Sequence, residues 1–181
     1  MPADDLEWEI RRERVEDGLR ILALTGAGFG PGRYAKSAYR LREGVKPLDR
    51  LGFVAVENAV LRGSVRFWPI RIGEISALLL GPLAVEGAQR GRGIGISLMQ
   101  RGIAAARDEG WRAILLVGDE PYYGRVGFQS FSAGAVTFPG PVDPARLLGL
   151  ALDGRGLEVL QGPVRRGPLE DTPCADGAPA G

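Results

Sequence analysis

The sequence predicts a mixed α/β fold, and three stretches carry that reading. Residues 76–85 (SALLLGPLAV) are almost continuously apolar, as in a strand buried on both faces. Residues 94–109 place Leu98, Ile103 and Ala106 on one helical face, and Gly110 ends the helix. Residues 113–117 (AILLV) return as a second buried strand.

The remaining elements follow in chain order. Residues 6–10 (LEWEI) alternate apolar and polar, the pattern of a strand with one buried face. Leu19, Leu22 and Ala23 recur at helical spacing within 16–24, and the glycine-rich run 26–32 is expected to stop that helix. A second short helix is predicted over 34–41. Residues 53–56 and 63–70 read as two antiparallel strands joined by a turn around Asn58. Gly81-Pro82 interrupts the apolar strand, and proline donates nothing to a ladder, so a bulge is expected there. Proline favours a helix start, which predicts short helices over 121–125 and, with Asp143 as cap, over 143–151. Residues 128–138 and 157–160 read as further strand material.

The 181 residues suffice for one domain with its own core, and residues 1–161 are read as that domain. With 23 basic against 22 acidic residues, the balance argues against a dedicated nucleic-acid binder, which needs a basic surplus. Cys174 is the only cysteine and the chain has no histidine. Together these remove intramolecular disulfides, thiolate- or imidazole-based metal sites, and Ser-His-Asp or Cys-His catalysis. Acid–base work falls to Asp, Glu, Tyr, the lone Cys, water or backbone. No apolar run approaches the about twenty residues needed to cross a bilayer. The acidic start MPADD lacks the features of a secretory signal, so a cytoplasmic location is expected. Lys36 and Lys46 are the only lysines; this Arg-for-Lys bias makes arginine a weak functional marker. Residues 162–181 are rich in glycine and proline, with Val164 and Leu169 as the sizeable apolar side chains, and are read as a disordered tail.

Two glycine-rich segments compete for the chemistry. The first, Gly26-Ala27-Gly28-Phe29-Gly30-Pro31, fails the dinucleotide fingerprint, since the third glycine position falls on Pro31 or, one register on, Arg33. The second, Arg90-Gly91-Arg92-Gly93-Ile94-Gly95, lies between the buried strand and the best helix. Glycines there let the chain turn with N–H groups inward at the positive end of the helix dipole, a ready anion site. Arg90 and Arg92 are positioned to add charge-assisted bonds. The nucleotide-triphosphatase loop G-x-x-x-x-G-K-[ST] is absent.

This second loop matches the Q/R-x-x-G-x-G/A signature of the GNAT family of N-acetyltransferases, with Arg90, Gly93 and Gly95 as the signature residues. Leu83-Ala84-Val85 precedes it at the family's spacing, and Tyr123 to Phe128 (YGRVGF) matches the family's Y-x-x-x-G-F. The run resembles the YhbS-type members of that family over roughly residues 6–135. The resemblance implies a mostly antiparallel sheet flanked by helices, whose fourth and fifth strands splay apart. It implies acetyl-CoA as co-substrate, with pantetheine amides on the main chain of Leu83 and Val85 beside Ala84. The pyrophosphate would rest on N–H groups of Arg90, Gly91, Arg92, Gly93, Ile94 and Gly95, with Ser97 assisting. Tyr123 matches the family's general acid; its neighbour Tyr122 is expected to point elsewhere.

The base is left open among Glu57, Glu74, Glu86 and a water chain. An asparagine common upstream of the tyrosine is absent, its place falling on or beside Leu116. No metal is implied. The acceptor, a small-molecule or protein amine, is expected against the segment 29–36 and the loop after Phe128. Arg33, Arg40 and Arg42 near it are read as a solvated face. A catalytically silent acyl-CoA-binding module is the alternative, and a homodimer is left open.

Overall fold

A computed structural model describes residues 7–29 and 37–167. Its centre is a sheet in the order β1-β2-β3-β4-β5-β8-β6. The strands are β1 (Glu9–Arg12), β2 (Phe53–Glu57), β3 (Val60–Ile72), β4 (Ile75–Val85), β5 (Ala113–Val117), β6 (Gln129–Ser130) and β8 (Leu147–Ala151). Neighbours pair antiparallel except β4 and β5, which run parallel. Two further short strands, β7 (Val136–Thr137) and β9 (Gly162–Arg166), pair with each other, and β9 also joins the far end of β3. β2 and β3 turn at Asn58 and Ala59, both with positive φ (49° and 61°), where the sequence places the turn.

Two helices cover opposite faces. α1 (Gly18–Phe29) lays Ile21 and Leu24 on Val54, Leu61 and Ala84. α3 (Ile94–Asp108) packs Ile94, Leu98, Met99, Ile103 and Ala106 against Phe53, Phe67, Leu78 and Leu80. Because side chains alternate along a strand, Val54 and Phe53 reach different helices from adjacent positions. The short α2 (Ser37–Arg40) and α4 (Glu120–Tyr123) flank the end of the sheet where β4 and β5 part.

The bulge in β4 falls at Gly81-Pro82: Val65 faces Leu83 and Phe67 faces Leu80, so two residues of β4 oppose Arg66. The carbonyl of Gly81 accepts the Trp68 indole N–H at 2.6 Å.

Several expectations are corrected. α1 runs through Gly26 to Phe29 instead of stopping at the glycines. Glycine costs a helix only about 1 kcal/mol per residue, and packing of Ile21 and Leu24 on the sheet outweighs it. Residues 143–151 are a helix only for one 3-10 turn, Pro144–Arg146, capped by Asp143 accepting the Ala145 N–H at 3.0 Å. Leu147–Ala151 is instead β8, closing the outer edge of β5. Its apolar run of five suits a strand and is too short for an amphipathic helix.

Strand material over 128–138 reduces to two pairs of residues, β6 and β7. Leu157–Val159 is a 3-10 turn, and the last strand comes after it. That strand corrects the boundary set at residue 161. Val164 is 2% exposed in a cluster with Ile70, Ile72 and Leu160, and β9 pairs Ile72, Arg71 and Ile70 in register. Glycine and proline content says nothing of the ladder that the edge of β3 supplies to this segment. Residues 168–181, including Leu169 and Cys174, lie outside the described residues, as do Arg33 and Lys36.

Candidate functional site

The parting of β4 and β5 creates the site. Their parallel pairing consists of Leu78 with Ile114 and Leu79 with Leu115, then stops, while β4 continues six residues to Val85. Glu86 donates its N–H to the Arg62 carbonyl at 2.8 Å, on the β3 side. Main-chain groups alternate along an antiparallel pair, so Ala84 also faces β3, while the N–H and C=O of Leu83 and Val85 face the gap. Their side chains pack toward the α3 face, whereas Ala84 is buried under α1. The structure therefore brings an open strand edge to the positions that the sequence singled out.

At the end of this edge lies the glycine loop. Gly91 and Gly93 have φ of 83° and 94°, the left-handed region in which a side chain is strained, and a Cβ at either meets nothing within 4 Å. Space is thus open above both. Ser97 donates its N–H to the Gly93 carbonyl at 3.0 Å, so the N–H groups of Ile94, Gly95 and Ile96 precede the helix's own ladder. Three consecutive donors at a helix N-terminus suit an anion. Gly95 is fixed by crowding instead, since a Cβ there would overlap the Tyr122 hydroxyl. Tyr122 thus packs with its hydroxyl on the start of α3.

The two arginines of the loop divide. Arg90 is exposed and lines a small cavity of about 250 Å³ with Arg20, Val85 and Gly87. The Arg92 side chain, expected to add charge-assisted bonds to an anion, is engaged elsewhere. It pairs with Glu57 at 2.8 Å, bonds Glu7 and Gln89, and lies over the Trp8 ring at 5.3 Å from its centroid. Glu57 also pairs with Arg62 at 3.3 Å, and Arg62 pairs with Glu86 at 2.5 Å; Glu86 in turn holds Arg20 at 2.9 Å. This chain of alternating charges ties together the ends of β2, β3 and β4, α1 and the loop.

The same network disposes of two candidate bases. The Arg92 hydrogen bond holds the Glu57 carboxyl below its ordinary range, and the Arg62 hydrogen bond does so for Glu86. A carboxylate stabilised in its charged form is a poorer proton acceptor. Glu74 sits on the turn between β3 and β4, at the other end of β4 from Leu83, with a side chain 91% exposed and Arg165 at 3.3 Å. None of the three lines the cavity at the parting of the strands.

That cavity measures about 740 Å³ and is bounded by α1, the segment after α2, the β4 bulge, Leu116 and Val117 of β5, Tyr123, and residues 141–146. Residues 141–146, well past Phe128, supply the wall that the sequence assigned to the loop directly after it. Tyr123 ends α4, its ring against Gly118 and edge-on to Tyr122 and Phe128 at 5.0 and 6.2 Å between centroids. Burial first, then the neighbouring Tyr122 and Asp119, push its phenol up to about 12. It therefore stays protonated across the working range, with a proton available to donate. Leu116, on or beside the place of the family's absent asparagine, is buried and apolar.

Arg42 is the residue that sequence reasoning misread. It is not on a solvated face: the half-buried side chain lines the cavity with its guanidinium 5.8 Å from the Trp68 centroid, and burial pulls it down to about 10. Only the folding of residues 37–45 over the β4 bulge makes this visible. Arg40 does stay at the rim, donating to the Pro139 carbonyl at 3.1 Å.

An open β4 edge, a glycine loop opening α3 and a tyrosine at the parting of β4 and β5 are the parts the resemblance implied. Residues 20–128 match the family model described as Acetyltransferase (GNAT) family. The chain belongs to the GNAT family. It is 32% identical over 123 residues, 66% of this chain and 72% of the relative, to the Uncharacterized N-acetyltransferase YhbS of Escherichia coli. Among solved structures it is similar to YhbS of Escherichia coli in complex with CoA. The TM-score is 0.74 at 27% identity, over 92% of this chain and 93% of that one. A GNAT family acetyltransferase from Brucella melitensis in complex with acetyl-CoA gives TM-score 0.65 at 31% identity, over 91% and 98%. Among the described residues of this GNAT chain, no group of three His, Cys, Asp or Glu side chains is placed to hold a metal, and no helix is long and apolar enough to cross a membrane.

Proposed function

We propose that this chain transfers an acetyl group from acetyl-CoA to the amine of an acceptor by direct attack. The observation that carries the reading is the unpaired edge of β4 over Leu83 and Val85, leading into the N-terminus of α3. Pantetheine is an extended chain with amides at strand-like spacing, and the edge offers the complementary N–H and C=O groups. The pyrophosphate follows onto the main chain of Arg90, Gly91, Arg92, Gly93, Ile94 and Gly95, with Ser97 in the first turn. The thioester then lies in the cavity beside Tyr123.

Catalysis in this reading is chiefly positioning of a neutral amine against the thioester carbonyl. The amine nitrogen bonds the carbonyl carbon and the C–S bond breaks with its electron pair on sulfur. Tyr123 donates its proton to that sulfur, and the amine's proton leaves through water. Water takes the base role because Glu57 and Glu86 are held by arginines and Glu74 lies elsewhere. The support for the overall reaction is the family and two similar structures solved with CoA and acetyl-CoA.

The engagement of Glu57 and Glu86 by arginines, with Leu116 in the cavity wall, favours a second reading, a binding module without transfer. An assay of free thiol release from acetyl-CoA across an amine panel separates the two. Acceptor-dependent release supports transfer; tight acetyl-CoA binding with no acceptor-dependent rate supports the module.

A further inference from the structure

Among the described basic side chains lining the large cavity, Arg42 alone combines a buried, unpartnered guanidinium nitrogen with the lack of a carboxylate. Arg66 is held by Glu13 at 2.5 Å, Arg146 by Asp119 at 3.2 Å, and Arg40 bonds a main-chain carbonyl. The Arg42 Nε is buried with no hydrogen-bond partner. A Cβ on Gly81 would stand 2.7 Å from its Nη2, so the guanidinium lies against the β4 bulge, where only a glycine leaves room. Glu43 and Asp143 line the same cavity, yet neither pairs with it, and Asp143 is occupied by the Ala145 N–H. Leaving a cation buried and unpaired is costly, and such costs are retained at ligand sites.

We propose that Arg42 recognises the acceptor, and that the acceptor is a small amine bearing a carboxylate. The carboxylate pairs with the guanidinium at the Trp68 and Gly81 side of the cavity while the amine reaches the Tyr123 side. The Arg42 guanidinium, partnered by no carboxylate, matches one negative charge in a planar group that accepts two parallel bonds. A phosphate dianion would call on further cations, yet Arg66 and Arg146 are already neutralised and Arg40 is turned to the Pro139 carbonyl at the rim. The apolar surface of Trp68, Leu80 and Val142 receives the rest of the molecule. This inference rests on the acetyl-transfer reading and is tested so that the two can fail separately.

The rate of acetyl transfer is compared for free amino acids, their carboxamides, and an amine bearing a phosphate, phosphoethanolamine. A charged hydrogen-bonded contact of this kind is worth roughly 10–100-fold. Carboxylates should therefore lead carboxamides by about that factor in kcat/KM, and Arg42→Gln should erase the lead chiefly through KM. Equal rates for acid and amide, a lead for the phosphate, or a lead that survives Arg42→Gln overturns the proposal. Arg42→Met, which removes the buried charge but keeps most of the volume, should melt at or above the wild-type temperature. A lower Tm together with an undiminished preference for carboxylates marks Arg42 as structural. Calorimetry adds a turnover-independent arm, in which CoA-loaded protein is titrated with N-acetylated amino acids and with their amides. Tighter binding of the acids supports Arg42 even if no amine is acetylated, and equal binding counts against it. Failure of wild-type protein to bind acetyl-CoA would sink the transfer reading alone.

Discussion

Replacing Val164 by alanine tests whether the last strand belongs to the domain. The side chain is 2% exposed, opposite Ile72 in the β3–β9 ladder and clustered with Ile70, Phe138 and Leu160. Removing two buried methyl-sized groups costs about 1.6 kcal/mol in transfer free energy. The void left among side chains tied to three strands adds up to about 1 kcal/mol. A loss of roughly 2–3 kcal/mol corresponds to a fall in Tm of about 5–10 °C in a domain of this size. Arg165→Ala is the control: its side chain is 57% exposed and its partner Glu74 91% exposed, so the change should stay within about 0.5 kcal/mol. β9 joins β3 at Ile70, Arg71 and Ile72, whose β4 partners are Ala77, Ser76 and Ile75, at the other end of β4 from Leu83. Acetyl-CoA affinity should accordingly be unchanged in the folded variant. Thermal melting followed by circular dichroism reads the first quantity and calorimetry the second. A Val164→Ala protein that melts with the wild type would refute the reasoning and return β9 to the tail.

Tyr123→Phe should lower kcat by about 100-fold, the lower range for loss of a positioned acid, and leave the acetyl-CoA dissociation constant nearly unaltered; a change confined to binding would make the ring a packing group. Because its phenol titrates only near 12, no alkaline limb from this group should appear below about pH 11 in the wild-type rate profile. Glu86→Gln should leave the pH dependence of kcat/KM in place, since that carboxylate is already held ionised by Arg62 and Arg20; a limb that disappears would identify Glu86 as the base. Asp17 (bonded by Arg11), Glu57 and Glu86 all titrate below their ordinary values when folded. Their contribution to stability is complete above the unfolded carboxyl range, near 4–4.5, and is lost as pH falls through the folded values; a thermal stability that rises on acidification from pH 5 to 3 would contradict the sign.

What was legible in the sequence was local. Residues 76–85, 94–109 and 113–117 carry patterns set by their own side chains, and the structure places β4, α3 and β5 there. The glycine loop and Tyr123 were singled out because the family's signatures are short and local. Partnership was not legible. Residues 147–151 look equally apolar in a helix or a strand until β5 offers an edge, and 162–166 look like tail until β3 does. The placement of Arg42 against Gly81 and the commitment of Arg92 to Glu57 depend on segments brought together from 35 or more positions apart, so neither was legible locally.

The central claim is that acetyl-CoA lies along β4 with its pyrophosphate on the N-terminus of α3. Calorimetric titration of acetyl-CoA into wild-type and Gly93→Glu protein tests it most directly. Nothing lies within 4 Å of a Cβ at Gly93, so the added carboxylate projects into the open space above the loop at only the backbone cost of a left-handed side chain, about 1–2 kcal/mol. The account predicts saturable binding to the wild type and none to the variant, with both proteins melting cooperatively. Equal affinity in the two would contradict it.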